Sequence, residues 1–271
     1  MRSVLLFVLF LAGCSSTAER PIRPSAHRIV SLLPSFTEIL FDIGAGDHLV
    51  GRTTWCDYPP AAKAVPSVGD GIPPNIEAVV ARKPDLVVLY KSGPNVTAAQ
   101  QLERIPGVHA VLVSLDRLED VGPAARTLGR LTGREEQADS LATAMDSLAA
   151  RPPPPATASL VYVVWDNPPI VIGRGSYLHQ IAELAGARNV FADLRAPSGQ
   201  VSLETIAARN PDWIAILSDS EVTPGFAKRP EWRAIPAVRA GHFLLLPGSL
   251  FGRPGPRSAQ AVAELQRLLR R

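Results

Sequence analysis

The chain is 271 residues long, 46% hydrophobic and 20% charged, with a formal net charge of +3 and two cysteines. So small a charge, with no run of like charges interleaved with aromatic residues, argues against a nucleic-acid partner. The length suits two lobes of roughly 100 to 150 residues each, and beyond Cys14 only Cys56 remains, so a chain processed at Cys14 can form no internal disulfide.

Residues 1–13 read as an export signal. Arg2 precedes an apolar run over 4–11, far short of the roughly 20 residues that a hydrocarbon core requires. The run ends Leu11-Ala12-Gly13-Cys14. Small residues directly before a cysteine resemble the lipobox of bacterial lipoproteins, which implies cleavage, acylation of Cys14 and a lipid-anchored protein in the periplasm or on the cell surface. Residues 14–26, polar and proline-containing, then form a flexible tether.

The segment 27–133 reads as a first α/β lobe. A short apolar strand over 28–33 leads into Ser35-Phe-Thr-Glu38, the spacing of a capping box, with Ile39, Leu40 and Ile43 on an inner helical face and Gly44 as the stop. A loop over 53–60 carries Trp55, Cys56, Asp57, Tyr58 and two prolines. A helix and strand follow over 75–90, then a helix over about 95–105, a strand over 108–114 and a helix over about 118–131. This alternation predicts a parallel sheet.

Residues 134–151 are rich in helix formers and place Leu141, Ala144, Met145 and Leu148 on one side, which predicts a single linking helix of about 25 Å. Pro152 to Pro155 end it and open a second α/β lobe over 152–271. There the pattern gives a strand over 159–164, a helix over about 177–185, a helix and strand over 202–217, a strand over 242–246 and a helix over about 258–270. The unit over 202–217 repeats the one over 75–90: Glu77 and Glu204, Pro84 and Pro211, and Asp85 and Asp212 are separated by one constant offset. Each copy is a capped amphipathic helix, stopped by proline and followed by a buried strand.

Catalytic constellations are absent from the sequence. It has no Gly-x-Ser-x-Gly elbow, phosphate loop, His-Glu-x-x-His or Cys-x-x-Cys, and its five histidines stand apart. The reading is therefore a binding protein with no enzymatic activity, no resident cofactor and no metal site of its own.

The stretches 28–38, 56–60, 74–85 and 253–257 together resemble the helical-backbone substrate-binding proteins of bacterial ABC importers, closest to the cobalamin-binding branch. The resemblance implies two Rossmann-like lobes with parallel sheets joined by one long helix, a monomer that holds its ligand between the lobes, and transmembrane permease subunits as partners. It also implies that Glu77 and Glu204, each in the first turn of its helix, pair with arginines of the permease.

In open α/β sheets ligands sit at the carboxyl ends of the strands, which singles out Trp55, Tyr58, Tyr90, Trp165, Asp166, Phe251 and Arg253 as ligand-binding residues. Aromatic faces suit a broad ring system with polar groups at its edge, as in a cobalt corrinoid. Trp55, Tyr90 and Phe251 are expected to stack on it. Cys56 is read as a small buried residue in preference to a cobalt ligand. The cobalamin-binding pattern usually has bulky aromatics over the stretch matching 69–74 and at Ser198, and here it has none. Haem or a ferric siderophore therefore stays open as the ligand.

Overall fold

The computed structural model describes residues 26–220 and 223–270. The expected signal, the acylated Cys14 and nearly all of the tether lie outside the described residues. The first lobe consists of β1 (Ile29–Ser31), α1 (Pro34–Asp42), β2 (Leu49–Arg52), α2 (Ile76–Val80), β3 (Leu86–Tyr90), α3 (Gly93–Leu102), β4 (His109–Val113) and α4 (Val121–Thr132). Its four strands are all parallel, in the order β2-β1-β3-β4. Near-continuous apolar strands make this possible, because Leu86 to Leu89 are buried on both faces.

The linking helix is α5 (Glu135–Ala149), and the second lobe follows. It contains β5 (Ala158–Asp166), β6 (Pro169–Ile172), α6 (Tyr177–Leu184), β7 (Ala187–Asn189), β8 (Ser198–Gln200), α7 (Leu203–Arg209), β9 (Trp213–Leu217), α8 (Pro236–Ala240), β10 (Phe243–Leu246), α9 (Gly248–Phe251) and α10 (Ser258–Leu268). The sheet order is β10-β9-β5-β6-β8, with β7 also on β5. This sheet corrects the sequence reading, which expected parallel strands only. The nine-residue β5 takes β7 in parallel along its first half, while β6 folds back antiparallel along its second half and carries β8 antiparallel in turn.

A second correction concerns α1. Pro34 occupies the first helical position, so Leu33 is the N-cap and no side chain caps the helix. Ser35 and Glu38 are therefore both inside the helix and both buried, and no capping box forms.

One apolar core runs through both lobes. It joins Ile39 and Leu40 of α1, Leu128 of α4, Met145 and Leu148 of α5, Leu160 of β5 and Leu265 of α10. The α4–α5 contact is close because Gly129 faces Ala138, where an added Cβ would lie 2.4 Å from the alanine Cβ. The linking helix α5 is itself part of this shared core, through Ala138, Ala142, Met145 and Leu148.

Candidate functional site

The large hydrophobic side chains left exposed among the described residues are Trp55, Tyr58, Ile72, Val96, Val164 and Trp165. All of them lie at carboxyl ends of strands. Trp55, Tyr58 and Ile72 are on the loop from β2 to α2, Val96 is in the first turn of α3 after β3, and Val164 and Trp165 close β5. Trp55 is 64% exposed and Trp165 59%. Apolar side chains of this size are normally buried, so their recurrence at strand ends of both lobes makes these ends the candidate binding face.

On the second lobe, Trp165 donates its indole N–H to the Asn167 carbonyl (2.8 Å), and Asp166 pairs with Arg229. Together with Ile216 and Phe226 they line a recess of about 470 Å³. On the first lobe, Tyr90 ends β3 half-buried and donates its hydroxyl to the Asp116 carboxylate. That bond and the negative charge behind it push the phenol up to about 12. Trp55, Tyr58, Tyr90, Trp165 and Asp166 thus all reach the strand edge that the sequence reading assigned them.

Phe251 and Arg253 do not fit their expected roles. Phe251 belongs to the short helix α9, which turns its ring fully into the core, so it presents no face for stacking. Its carbonyl accepts the Tyr177 hydroxyl at 2.7 Å. Arg253 is nearly buried and is held by first-lobe groups, donating to the Trp55 carbonyl (3.2 Å) and to Asp57 (2.6 Å).

Sequence reasoning missed Glu38, Asp57, Asp116, Arg229 and Arg257. Glu38, with 2% of its side chain exposed, receives Arg257 through two parallel bonds of 2.7 and 2.8 Å, and Arg253 Nε lies 3.6 Å away. The signal was Pro34: a proline at the first helical position makes Ser35 a poor cap and Glu38 a carboxylate in need of another partner. Cys56 is fully buried, its Sγ 3.1 Å from the hydroxyls of Thr37 and Thr53. His179 is buried beside Glu183, and burial pulls its pKa down.

Glu77 and Glu204 are exposed in the first turns of α2 and α7. The caps are as expected: Asn75 accepts the Ala78 N–H (3.0 Å) and Ser202 accepts the Thr205 N–H (3.2 Å). The Ser202 hydroxyl and its own backbone N–H hold the Glu204 carboxyl below the usual range.

Two α/β lobes, a linking helix and exposed aromatic residues at the strand ends of each lobe have the architecture of a two-lobe solute-binding protein. The model of the periplasmic binding protein family matches residues 29–250, and the chain belongs to that family. It is 34% identical over 196 residues to a vitamin B12-binding protein of Salmonella paratyphi A, covering 71% of this chain and 73% of that protein. It is 29% identical to the ABC transporter substrate-binding lipoprotein YvrC of Bacillus subtilis, over 97% of this chain and 94% of that one. Among solved structures, the apo form of the periplasmic haem-binding protein RhuT from Roseiflexus superposes with a TM-score of 0.76 at 26% identity, over 90% of this chain and 98% of that chain. All three are named as binding proteins, and YvrC as the substrate-binding protein of an ABC transporter.

Proposed function

We propose that this protein is a lipid-anchored, monomeric substrate-binding protein that captures a corrinoid between its lobes and delivers it to the permease of an ABC importer. The observation that carries the reading is the exposure of Trp55, Tyr58 and Trp165, aromatic residues that follow or close strands in each of the two lobes. The vitamin B12-binding relative supports the ligand class, the YvrC lipoprotein supports anchoring through Cys14, and the exposed first-turn positions of Glu77 and Glu204 support permease docking.

The likeness to RhuT favours haem as a second reading. Titration calorimetry with cyanocobalamin and with haemin separates the two. One corrinoid per chain is expected, and Trp55→Ala should weaken it by about 1 to 3 kcal/mol through lost apolar contact. Heat and co-elution with haemin alone would replace the corrinoid by haem and leave the class of protein intact.

A further inference from the structure

The segment from α9 to α10 packs against the first lobe. Arg253 and Arg257 lie four residues apart in Gly252-Arg-Pro-Gly-Pro-Arg257, where two prolines restrict the backbone between them. Both guanidiniums end on first-lobe groups. Arg257 is bidentate to Glu38, and the face of its guanidinium lies 3.7 Å from the centre of the Tyr58 ring. Arg253 spans from its 3.6 Å approach to Glu38 out to the carbonyl of Trp55 and the carboxylate of Asp57. Three successive features of the first-lobe lip, the Trp55 carbonyl, the Asp57 carboxylate and the Tyr58 ring, are therefore gripped by the second lobe.

The lip is also tied within its own lobe, at the Thr54 hydroxyl, which donates to Asp70 (2.5 Å), and at the buried Cys56, whose Sγ lies 3.1 Å from the Thr37 and Thr53 hydroxyls. Within its own lobe Thr54 is tied to the Gly69 carbonyl (2.9 Å), and the Cys56 and Asp57 N–H groups close tight local turns onto Thr53 and Trp55. The cluster is also charge-neutral, with Glu38 and Asp57 matched by Arg253 and Arg257. Buried ion pairs of this kind contribute little net stability, because desolvation offsets their attraction, and what they fix is geometry. Bidentate guanidinium–carboxylate bonds fix it most tightly.

We propose that Arg253 and Arg257, anchored on the buried carboxylate of Glu38, are positioning residues that set the Trp55–Tyr58 lip from the opposite lobe and so shape the ligand face before any ligand arrives. Neither guanidinium is then available to pair with an anionic group of the ligand, and Arg253 acts on binding through Trp55. This rests on the binding reading above for its consequence, though not for its geometry.

Two measurements separate the parts. Hydrogen exchange of the ligand-free full chain, followed by mass spectrometry, should show amides 54–58 opening about tenfold faster in Arg253→Met and in Arg257→Met, with α5 and β3 unchanged. Should either arginine variant fail to fold, Asp57→Ala tests the same grip, since Asp57 is partly exposed and outside the core. Unchanged exchange at 54–58 in these variants overturns the proposal. Cyanocobalamin affinity then tests the route: Arg253→Met should weaken it about tenfold in the parent background and much less in a Trp55→Ala background, since two changes on one path do not add. Full additivity overturns action through Trp55. If cyanocobalamin does not bind the parent chain while exchange at 54–58 still accelerates, the ligand reading fails and the positioning role stands.

Discussion

The two copies of the repeated unit, α2–β3 and α7–β9, are built alike down to single backbone angles. In each, the residue before the proline, Lys83 or Asn210, takes a left-handed conformation (φ 50° and 43°), the only such non-glycine residues among those described. In each, the aspartate after the proline ties down the neighbouring strand. Asp85 accepts the N–H groups of His27 (2.9 Å) and Arg28 (3.0 Å) ahead of β1, and Asp212 accepts the N–H and hydroxyl of Ser159 (both 2.7 Å) at the start of β5. The surroundings differ. The first unit sits in a purely parallel sheet, and the exposed aromatics of its lobe are on a long loop; the second sits beside a folded-back β5–β6 pair that carries Trp165 on the strand itself. One scaffold unit thus serves two ways of presenting an aromatic ring.

The largest expected effect breaks the symmetry at its exposed end. Glu77 and Glu204 occupy equivalent first-turn positions where the helix dipole favours a negative charge. If both dock the permease, Glu77→Arg or Glu204→Arg should abolish uptake in a reconstituted importer while cyanocobalamin affinity stays within about twofold, because a first-turn charge is worth only a few tenths of a kcal/mol to its helix. Transport at the parent rate by both variants would leave the glutamates a purely helix-stabilising role.

The strand ties come next. Asp212→Ala strands the buried Ser159 donors and should cost about 1 to 2 kcal/mol, whereas Asp85→Ala frees N–H groups that water can reach and should cost under about 1 kcal/mol. Urea midpoints measured side by side decide the order, and equal losses would erase the distinction. Asp212 also carries a pH signature: its carboxyl is held low, chiefly by the Ser159 hydroxyl, so its contribution is present above the ordinary carboxylate range and fades as acid protonates it.

The repeated units were legible in the sequence because caps, proline stops and apolar runs act within a few residues. The β5–β6 reversal was not. It depends on the pairing of Asp166 with Pro169 across a two-residue turn, a contact that apolar periodicity does not report. The strand-end positions of Trp55 and Trp165 were legible because strand ends can be placed from alternation alone. Glu38 was lost because its spacing from Ser35 imitates a cap, and its real partners, Arg253 and Arg257, lie in the other lobe. Phe251 was misplaced since nothing local distinguishes a loop after β10 from the single turn of α9 that buries its ring.

The left-handed residues offer a smaller contrast. Glycine removes the Cβ conflict at positive φ, at the cost of unfolded-state entropy, and asparagine already tolerates that region. Lys83→Gly should therefore stabilise by about 0.5 kcal/mol, and Asn210→Gly should stay near zero. Thermal melts of the two variants check this, and a larger gain at Asn210 would contradict it.

The smallest effect concerns the arginine that each unit carries before its left-handed residue. Arg209 lies 4.1 Å over the Phe191 ring and grips Asp193, one of its bonds at 2.8 Å; its counterpart Arg82 has its Nε buried without a hydrogen-bond partner. Arg209 accordingly pulls Asp193 from its ordinary 3.8 down to about 2. A carboxyl whose folded value is depressed contributes stability that is fully present above 3.8 and is lost as the pH falls through about 2. Asp193→Asn should then melt slightly below the parent at pH 5, and the gap should close by about pH 2, where the parent has lost the same pair. The side chain is well exposed, so solvent screens the pair and the gap at pH 5 is expected to be no more than a degree or so, shrinking further in high salt. A gap that persists unchanged to pH 2 would mean that Asp193 acts through its shape alone, and the second unit would then owe nothing to the charge that sets it apart from the first.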